Sequence, residues 1–177
     1  MRTRLLSHVL APLVLLLAAC ATHSTIETER AIPVPKDRVE YDDGDTFSFG
    51  ETTIRVLGID TPEITHREHG FFEDQPFGRE AAAFTERTLR RAKRITYLPY
   101  QNDRYGRLLA HVFVDGELLA VRLIREGLAY ESITHYGDNG FPEIAAAILK
   151  AAKESPKPAF ESPHTWRREH RREPAEN

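Results

Sequence analysis

Alternating apolar and polar residues predict three short strands near the start of the globular part of the chain. These segments are residues 38–41 (RVEY), 46–49 (TFSF) and 52–59 (TTIRVLGI). The sequence DDGD separates the first two, and a Gly-Glu pair typical of a two-residue hairpin precedes the third. Because strand side chains alternate, Ile54 and Val56 are expected on one face of the third strand and Arg55 on the other. The pattern thus predicts a buried strand with a cation opposite its core face.

Two more strands and three helices are predicted further along the chain. The strands are residues 95–100 (ITYLPY) and 107–114 (RLLAHVFV), and the helices are residues 78–94, 117–127 and 142–154. Gly127 is a typical stop for the second helix, and Pro142 is a typical first residue for the third. This order favours an α+β fold with a mainly β core, namely a five-stranded OB-fold barrel with three α-helices. Periodicity alone leaves it as one of several small α+β folds.

The composition is that of one globular domain with some excess chain at the ends. Of the 177 residues, 41% are hydrophobic and 29% are charged. The formal net charge of -3 gives no overall attraction to nucleic acid. A nucleic-acid site would therefore need a local cluster of arginines.

The first twenty residues are typical of an export signal. Arg2 and Arg4 precede an apolar stretch too short to span a bilayer comfortably as a mature helix. The stretch ends in LAAC at Cys20, the only cysteine, and resembles the lipobox at which bacterial lipoproteins are cleaved and lipidated. We expect an exported cell-envelope lipoprotein, anchored through Cys20 on the periplasmic side, with Ala21 favouring the outer membrane. The alternative is an ordinary signal peptide with an incidental cysteine.

These patterns divide the chain into four parts. They are a lipoprotein signal peptide at residues 1–19, a lipid anchor and polar tether at 20–35, the OB-fold domain at 36–154 and a tail at 155–177. The tail carries the charged run WRREHRR, and over residues 155–177 as a whole the acids nearly balance the bases. We expect it to be extended or only partly docked, with a solvated surface.

Charged residues gather where three predicted strands end. The clusters are Asp43-Gly44-Asp45-Thr46, Arg55 with Asp60-Thr61-Pro62-Glu63, and Asp103-Arg104-Tyr105-Gly106-Arg107. Each cluster alone is more typical of a turn than of a site. Together they supply Asp45 and Asp60 as hard oxygen ligands for a divalent cation, with a backbone carbonyl oxygen near the turn as a third.

The same clusters supply a base and two phosphate-binding cations. Glu63 lies three residues after Asp60, with Pro62 restricting the backbone between them, which suits a base for an attacking water. Arg55 and Arg107 are of the type that grips a phosphate through two N–H groups and neutralises charge developing on it. Cation ligands, a base and two guanidinium groups indicate a phosphodiesterase site.

Four motifs in the same order give the chain a resemblance to the thermonucleases, the staphylococcal nuclease family. They are DGDT, IRVLGIDTPE, DRYGRLLAHV and LIREGLA, and the resemblance covers Arg38 to Lys153. It implies a five-stranded OB barrel with three helices and a nuclease that uses Ca²⁺ to cut DNA and RNA, leaving 3′-phosphates. We expect the protein to be a monomer.

The resemblance also implies a role for each matching residue. The calcium ligands are matched by the carboxylates of Asp45 and Asp60 and the carbonyl oxygen of Thr61. The catalytic positions are matched by Glu63 as general base and by Arg55 and Arg107 as phosphate-contacting arginines. The aromatic residue close to the bound nucleotide is matched by Tyr105. Where the best-known member has a pair of tyrosines at the nucleotide, this chain has His135 and Tyr136.

Other classes of function stay open beside the nuclease interpretation. An OB-fold module can bind nucleic acid or a protein without cutting, and a lipoprotein of the envelope can be purely structural. His66 and His69 invite a zinc interpretation, but with no cysteine near them and no obvious third ligand a solvated surface is favoured. The filled set of site positions favours the enzyme.

Overall fold

The computed structural model of the protein describes residues 30–67 and 70–170. The predicted signal peptide, residues 1–19, and the lipid attachment at Cys20 lie outside these ranges. Within them, every helix is too short or too polar to span a membrane.

The centre of the molecule is a curled, mixed β-sheet. The strands of the described residues, in chain order, are β1 (Ile32–Pro33), β2 (Val39–Tyr41), β3 (Thr46–Phe49), β4 (Thr52–Val56), β5 (Ile59–Asp60), β6 (Ile95–Asn102), β7 (Leu108–Val114), β8 (Glu117–Leu118) and β9 (Tyr130–Glu131); β5 and β9 pair with each other outside the central sheet. The main sheet has the order β1-β6-β7-β4-β3-β2, with β8 added beside β7, and β4 and β7 run parallel. The five predicted strands correspond to β2, β3, β4, β6 and β7, and the α+β OB-type fold is confirmed.

The third predicted strand, residues 52–59, differs from the structure in one respect. It breaks after Val56, and the chain turns at Gly58, whose φ is 88°. A Cβ atom at Gly58 would lie 2.7 Å from Cδ1 of Ile148, so the position has no room for a side chain. The turn sends Ile59 and Asp60 into a separate two-stranded pairing with β9. Asp60 thereby leaves the main sheet and pairs with Tyr130.

In the described ranges, five helices surround the sheet. They are α1 (Gly78–Arg91), α2 (Leu119–Arg125), α3 (Ile133–Tyr136), α4 (Pro142–Glu154) and α5 (Pro163–His170), with a short 3-10 helix at Lys36–Arg38. The three predicted helices correspond to α1, α2 and α4, and the last of these has the predicted bounds. Helices α3 and α5 were not predicted.

The core lies between the inner face of the sheet and helices α2 and α4. It includes Phe47 and Ile54 of the hairpin, Leu119 and Leu123 of α2, and Ile148 of α4, all fully buried. Arg55, between two buried residues of β4, points to the opposite face, as the alternation predicts. The rigid core therefore holds the strand that presents this arginine.

The structure of the tail differs from the prediction of a segment that is extended or only partly docked, with a solvated surface. Residues Pro163–His170 form helix α5, and Trp166 is only 5% exposed. The Trp166 ring lies 5.8 Å from that of Phe71 in the long loop before α1. Two hydrogen bonds also hold the tail. Nε2 of Gln75 donates to the carbonyl oxygen of Glu161 at 2.6 Å, and the hydroxyl of Tyr130 donates to the carbonyl oxygen of Phe160 at 2.6 Å. Apolar packing and these hydrogen bonds dock the charged tail onto the domain.

Candidate active site

The turn before β3 fixes the carboxylate of Asp45 in the interior. Asp45 is 0% exposed, and its Oδ2 accepts a hydrogen bond from the backbone N–H of Thr61 at 2.9 Å. Its Oδ1 accepts one from the Thr46 hydroxyl at 3.2 Å. The preceding residue, Gly44, accepts a hydrogen bond on its carbonyl oxygen from the Thr85 hydroxyl at 2.6 Å. A buried aspartate with this many donors is held in one orientation.

Glu63 is positioned by a residue that the sequence interpretation missed. The backbone N–H of Glu63 donates to Oε1 of Gln75 at 3.2 Å, and the backbone N–H of Gln75 donates to the carbonyl oxygen of Glu63 at 2.9 Å. Gln75 is buried. A polar residue in a loop carries no sequence signal for such a role, because its partner is twelve positions away. This pair fixes the DTPE segment against the start of α1.

Arg55 joins the two candidate cation ligands. Its Nη2 donates to Oδ1 of Asp60 at 2.8 Å, and its Nη1 forms an ion pair with Oδ1 of Asp45. One guanidinium group therefore touches both carboxylates, which places them side by side. The structure thus brings together Arg55, Asp45 and Asp60.

A second arginine reaches the same carboxylates from the tail. Arg167 of α5 donates from Nη2 to Oδ2 of Asp60 at 2.7 Å and from Nη1 to Oδ1 of Asp60 at 3.0 Å. Its Nη1 also donates to Oε1 of Glu63 at 2.6 Å. Sequence reasoning missed Arg167 because it treated the WRREHRR run as solvated. The sequence feature that could have indicated a docked helix is Trp166, because a solvated tail does not need a large apolar side chain.

The arginines and burial act in opposite directions on the site carboxylates. Burial disfavours ionisation of Asp60, but the hydrogen bonds and charges of Arg167 and Arg55 together outweigh it and hold its pKa below the ordinary value. For Glu63 burial is the stronger effect, and it raises the pKa although Arg167 opposes it. Two carboxylates of one segment thus have different proton affinities.

Arg107 and Tyr105 lie in the turn between β6 and β7. The Arg107 Nε donates to Oδ2 of Asp103 at 2.8 Å, and its guanidinium carbon lies 5.5 Å from the centre of the Tyr105 ring. Tyr105 is 57% exposed. Arg107 directly precedes β7, whose Leu109 pairs with Arg55 of β4. Its ion-pair partner in the structure is Asp103.

The donor set near Asp60 suits a hard cation. The carboxylates of Asp45 and Asp60 share Arg55, and Thr61, whose carbonyl oxygen was predicted as a third ligand, follows Asp60 directly and contacts Asp45 through its N–H. Carboxylate and carbonyl oxygens are the ligands that Ca²⁺ takes in proteins. The residues present therefore fit the predicted metal.

A separate group brings Asp42 and Asp43 together with His66, with ligand atoms within 4.8 Å of one another. His66 differs from the expected solvated surface, because its Nε2 lies 3.1 Å from Oδ1 of Asp42. His69 lies outside the described residues.

His135 and Tyr136 lie together on α3, with their ring centres 6.4 Å apart, and Tyr136 is largely exposed.

Comparisons with known proteins point to one family. The family model described as "Staphylococcal nuclease homologue" matches residues 53–157. The chain is 39% identical over 92 residues to the thermonuclease of Staphylococcus hyicus, covering 49% of this chain and 53% of that protein. It is 36% identical over 109 residues to the endonuclease YncB of Bacillus subtilis (strain 168), covering 54% of this chain and 49% of that protein. The chain thus spans about half the length of the curated relatives it matches.

Proposed function

Because the chain belongs to the family of staphylococcal nuclease homologues, we propose that it is a Ca²⁺-dependent nuclease that hydrolyses phosphodiester bonds of DNA and RNA and leaves 3′-phosphates. The observation that carries the proposal is the contact of one guanidinium group, Arg55, with both Asp45 and Asp60, beside Glu63. Two oxygen ligands, a base and a phosphate-binding cation thereby meet at one place.

The residues of the chain divide the reaction between them. A calcium ion held by Asp45, Asp60 and the Thr61 carbonyl oxygen would supply positive charge beside the phosphate. Glu63 takes a proton from water as the water oxygen attacks phosphorus, and the bond from phosphorus to the 5′ oxygen breaks. The 5′ oxygen leaves as a hydroxyl after taking a proton from solvent, Glu63 returns its proton to solvent, and the phosphate stays on the 3′ oxygen. A raised pKa makes the ionised Glu63 a stronger base than an ordinary glutamate.

Arg55 and Arg107 neutralise the charge that grows on the phosphate oxygens. The exposed ring of Tyr105 offers a surface on which a base of single-stranded nucleic acid stacks. These local features compensate for a net charge of -3, which attracts no polyanion.

The test is cleavage of single-stranded DNA by a protein comprising residues 21–177, with Ca²⁺ or with a chelator. We expect cleavage only with Ca²⁺, and its loss together with Ca²⁺ binding in Asp45→Ala and Asp60→Ala. Cleavage that survives the chelator would contradict the metal assignment. Binding of DNA without cleavage would instead identify a non-cutting OB-fold module.

We also propose that the protein is a lipoprotein of the cell envelope, on the basis of the LAAC sequence ending at Cys20. The wild-type protein should fractionate with membranes and incorporate a labelled fatty acid, since several acyl chains anchor a protein stably. Cys20→Ser should abolish the label. Recovery of unlabelled wild-type protein in the soluble fraction alone would contradict the proposal.

A further inference from the structure

We propose that Arg167 is a built-in counter-ion of the carboxylate cluster, which a divalent cation must displace from Asp60 in order to bind. The C-terminal helix α5 would then set the cation affinity of the site. This inference rests on the proposed function, because it takes Asp45 and Asp60 as the cation ligands.

The contacts of Asp60 are the first argument. Arg167 donates to both of its carboxylate oxygens, at 3.0 and 2.7 Å, and Oδ1 also accepts from Arg55 at 2.8 Å. A calcium ion lies about 2.3–2.6 Å from its oxygen ligands. The two arginines take both lone-pair directions of Oδ1, and Arg167 takes one direction of Oδ2. An ion bound by both oxygens of Asp60 therefore competes with Arg167 for them.

Charge balance is the second argument. The cluster has three carboxylates, those of Asp45, Asp60 and Glu63, and two guanidinium groups, those of Arg55 and Arg167. All five side chains are buried or less than a third exposed, so an unbalanced charge is costly. Arg167 supplies the positive charge that offsets Asp60 and Glu63 together, and a divalent ion bound to Asp60 supplies positive charge in its place. The carboxyl group of Asp43, which interacts electrostatically with Arg55 and Glu63, lies beside this cluster.

The two arginines differ in how easily they leave. Arg55 projects from β4, a strand hydrogen-bonded to neighbours on both sides, and contacts two carboxylates at once. The Arg167 side chain is 29% exposed and lies on the last described helix. Helix α5 is docked independently of this side chain through Trp166. Arg167 can therefore turn toward solvent while α5 stays in place.

Release of Arg167 would also free the base. The Nη1 group that contacts Asp60 is the group that donates to Oε1 of Glu63 at 2.6 Å. An ion that displaces Arg167 from Asp60 removes this hydrogen bond from Glu63 as well. Arg167 is thus a positioning residue that couples cation binding to exposure of the Glu63 carboxylate.

The experiment measures Ca²⁺ affinity by isothermal titration calorimetry on the full chain without nucleic acid. Arg167→Gln should bind Ca²⁺ about tenfold more tightly than wild type, which corresponds to about 1.4 kcal/mol. Arg167→Lys should lie between them, because an ammonium group lacks the two-point contact. Arg168→Gln is the matched control, since Arg168 is exposed on the same helix, and it should bind as wild type does. In the presence of a chelator, Arg167→Gln should melt at a lower temperature than wild type.

Equal or weaker Ca²⁺ binding by Arg167→Gln, with Ca²⁺ still bound by wild type, would overturn this inference and leave the proposed function intact. Absence of Ca²⁺ binding in every protein would overturn both. A gain in affinity by Arg168→Gln equal to that of Arg167→Gln would also overturn it, because general surface charge would then explain the effect. If Arg167→Gln does not fold, Arg167→Lys provides the same comparison with the charge retained.

Discussion

Gly44 is expected to be intolerant of any side chain, and Gly44→Ala tests the packing that holds Asp45. A Cβ atom at this position would lie 2.7 Å from Oγ1 of Thr61, 2.8 Å from Cβ of Thr61 and 2.8 Å from Cβ of Ala81. Carbon atoms pack best at about 3.5–4.0 Å, so each neighbour would have to move by close to 1 Å. Thr61 and Ala81 are both buried, and neither can turn into solvent.

The cost follows from this crowding. Forcing an extra methyl group into a packed site typically costs about 1–3 kcal/mol. For a chain of this length we expect a melting temperature lower by roughly 4–8 °C for about 2 kcal/mol. Because the Thr61 N–H holds Oδ2 of Asp45, movement of Thr61 should also disturb the cation ligands. Gly44→Ala should therefore lose DNA cleavage at temperatures at which it is still folded.

Thermal melts followed by circular dichroism, with cleavage assayed at 25 °C, separate the two effects. Gly50→Ala is the matched control, because Gly50 lies in the β3–β4 hairpin and no described atom lies within 4 Å of its Cβ position. Its φ of 58° makes alanine strained there, at a cost of about 1–2 kcal/mol. The control should lose stability and keep its cleavage rate. A Gly44→Ala protein with the melting temperature and rate of wild type would refute the reasoning.

Three further predictions concern the tail, the core and the phosphate site. Trp166→Ala should lower the free energy of unfolding by about 3 kcal/mol in a urea titration, because it removes a buried ring from its contact with Phe71; an unchanged midpoint would mean that α5 is not docked. Burial lowers the pKa of His111 from 6.5 to about 4. As the pH falls from 6.5 to 4, the unfolded chain therefore binds a proton at this imidazole and the folded protein does not. Across that pH range the free energy of unfolding of wild type should fall by about 3 kcal/mol more than that of His111→Gln. Parallel curves of unfolding free energy against pH for the two proteins would contradict this. Arg107→Lys should slow single-turnover cleavage by roughly 10²-fold with little change in the thermal melt, since an ammonium group cannot make the two-point phosphate contact; a wild-type rate would remove Arg107 from the mechanism.

The local parts of this fold could be predicted from sequence because their causes are local. Alternation along β3 and β4, Pro142 at the start of α4 and the short spacing from Asp60 to Glu63 all act within a few residues. The grouping of Asp45 with Asp60 depends on a pairing sixteen residues apart, between Asp45 and Thr61. It was predicted from the charged clusters at the strand ends and from the familiar order of the motifs.

The position of Arg167 could not be predicted in this way. It lies 107 positions from Asp60, and its charged neighbours are those of a solvated segment. What brings it to the site is the packing of Trp166 on the long loop before α1, together with hydrogen bonds to the tail from Gln75 and Tyr130. Such contacts depend on the tertiary fold, and the pattern of apolar and polar residues along the chain does not indicate them.

The central claim is that Glu63 is the base of a phosphodiesterase. The most direct measurement is single-turnover cleavage of a short DNA by Glu63→Gln at saturating enzyme and Ca²⁺, with Glu73→Gln, an exposed residue of the neighbouring loop, as control. The account predicts a rate lower by about 10²- to 10⁴-fold for Glu63→Gln, with DNA binding near that of wild type and an unchanged rate for Glu73→Gln. A wild-type rate for Glu63→Gln would contradict the account and leave residues 60–63 as a cation-binding turn with an incidental acid.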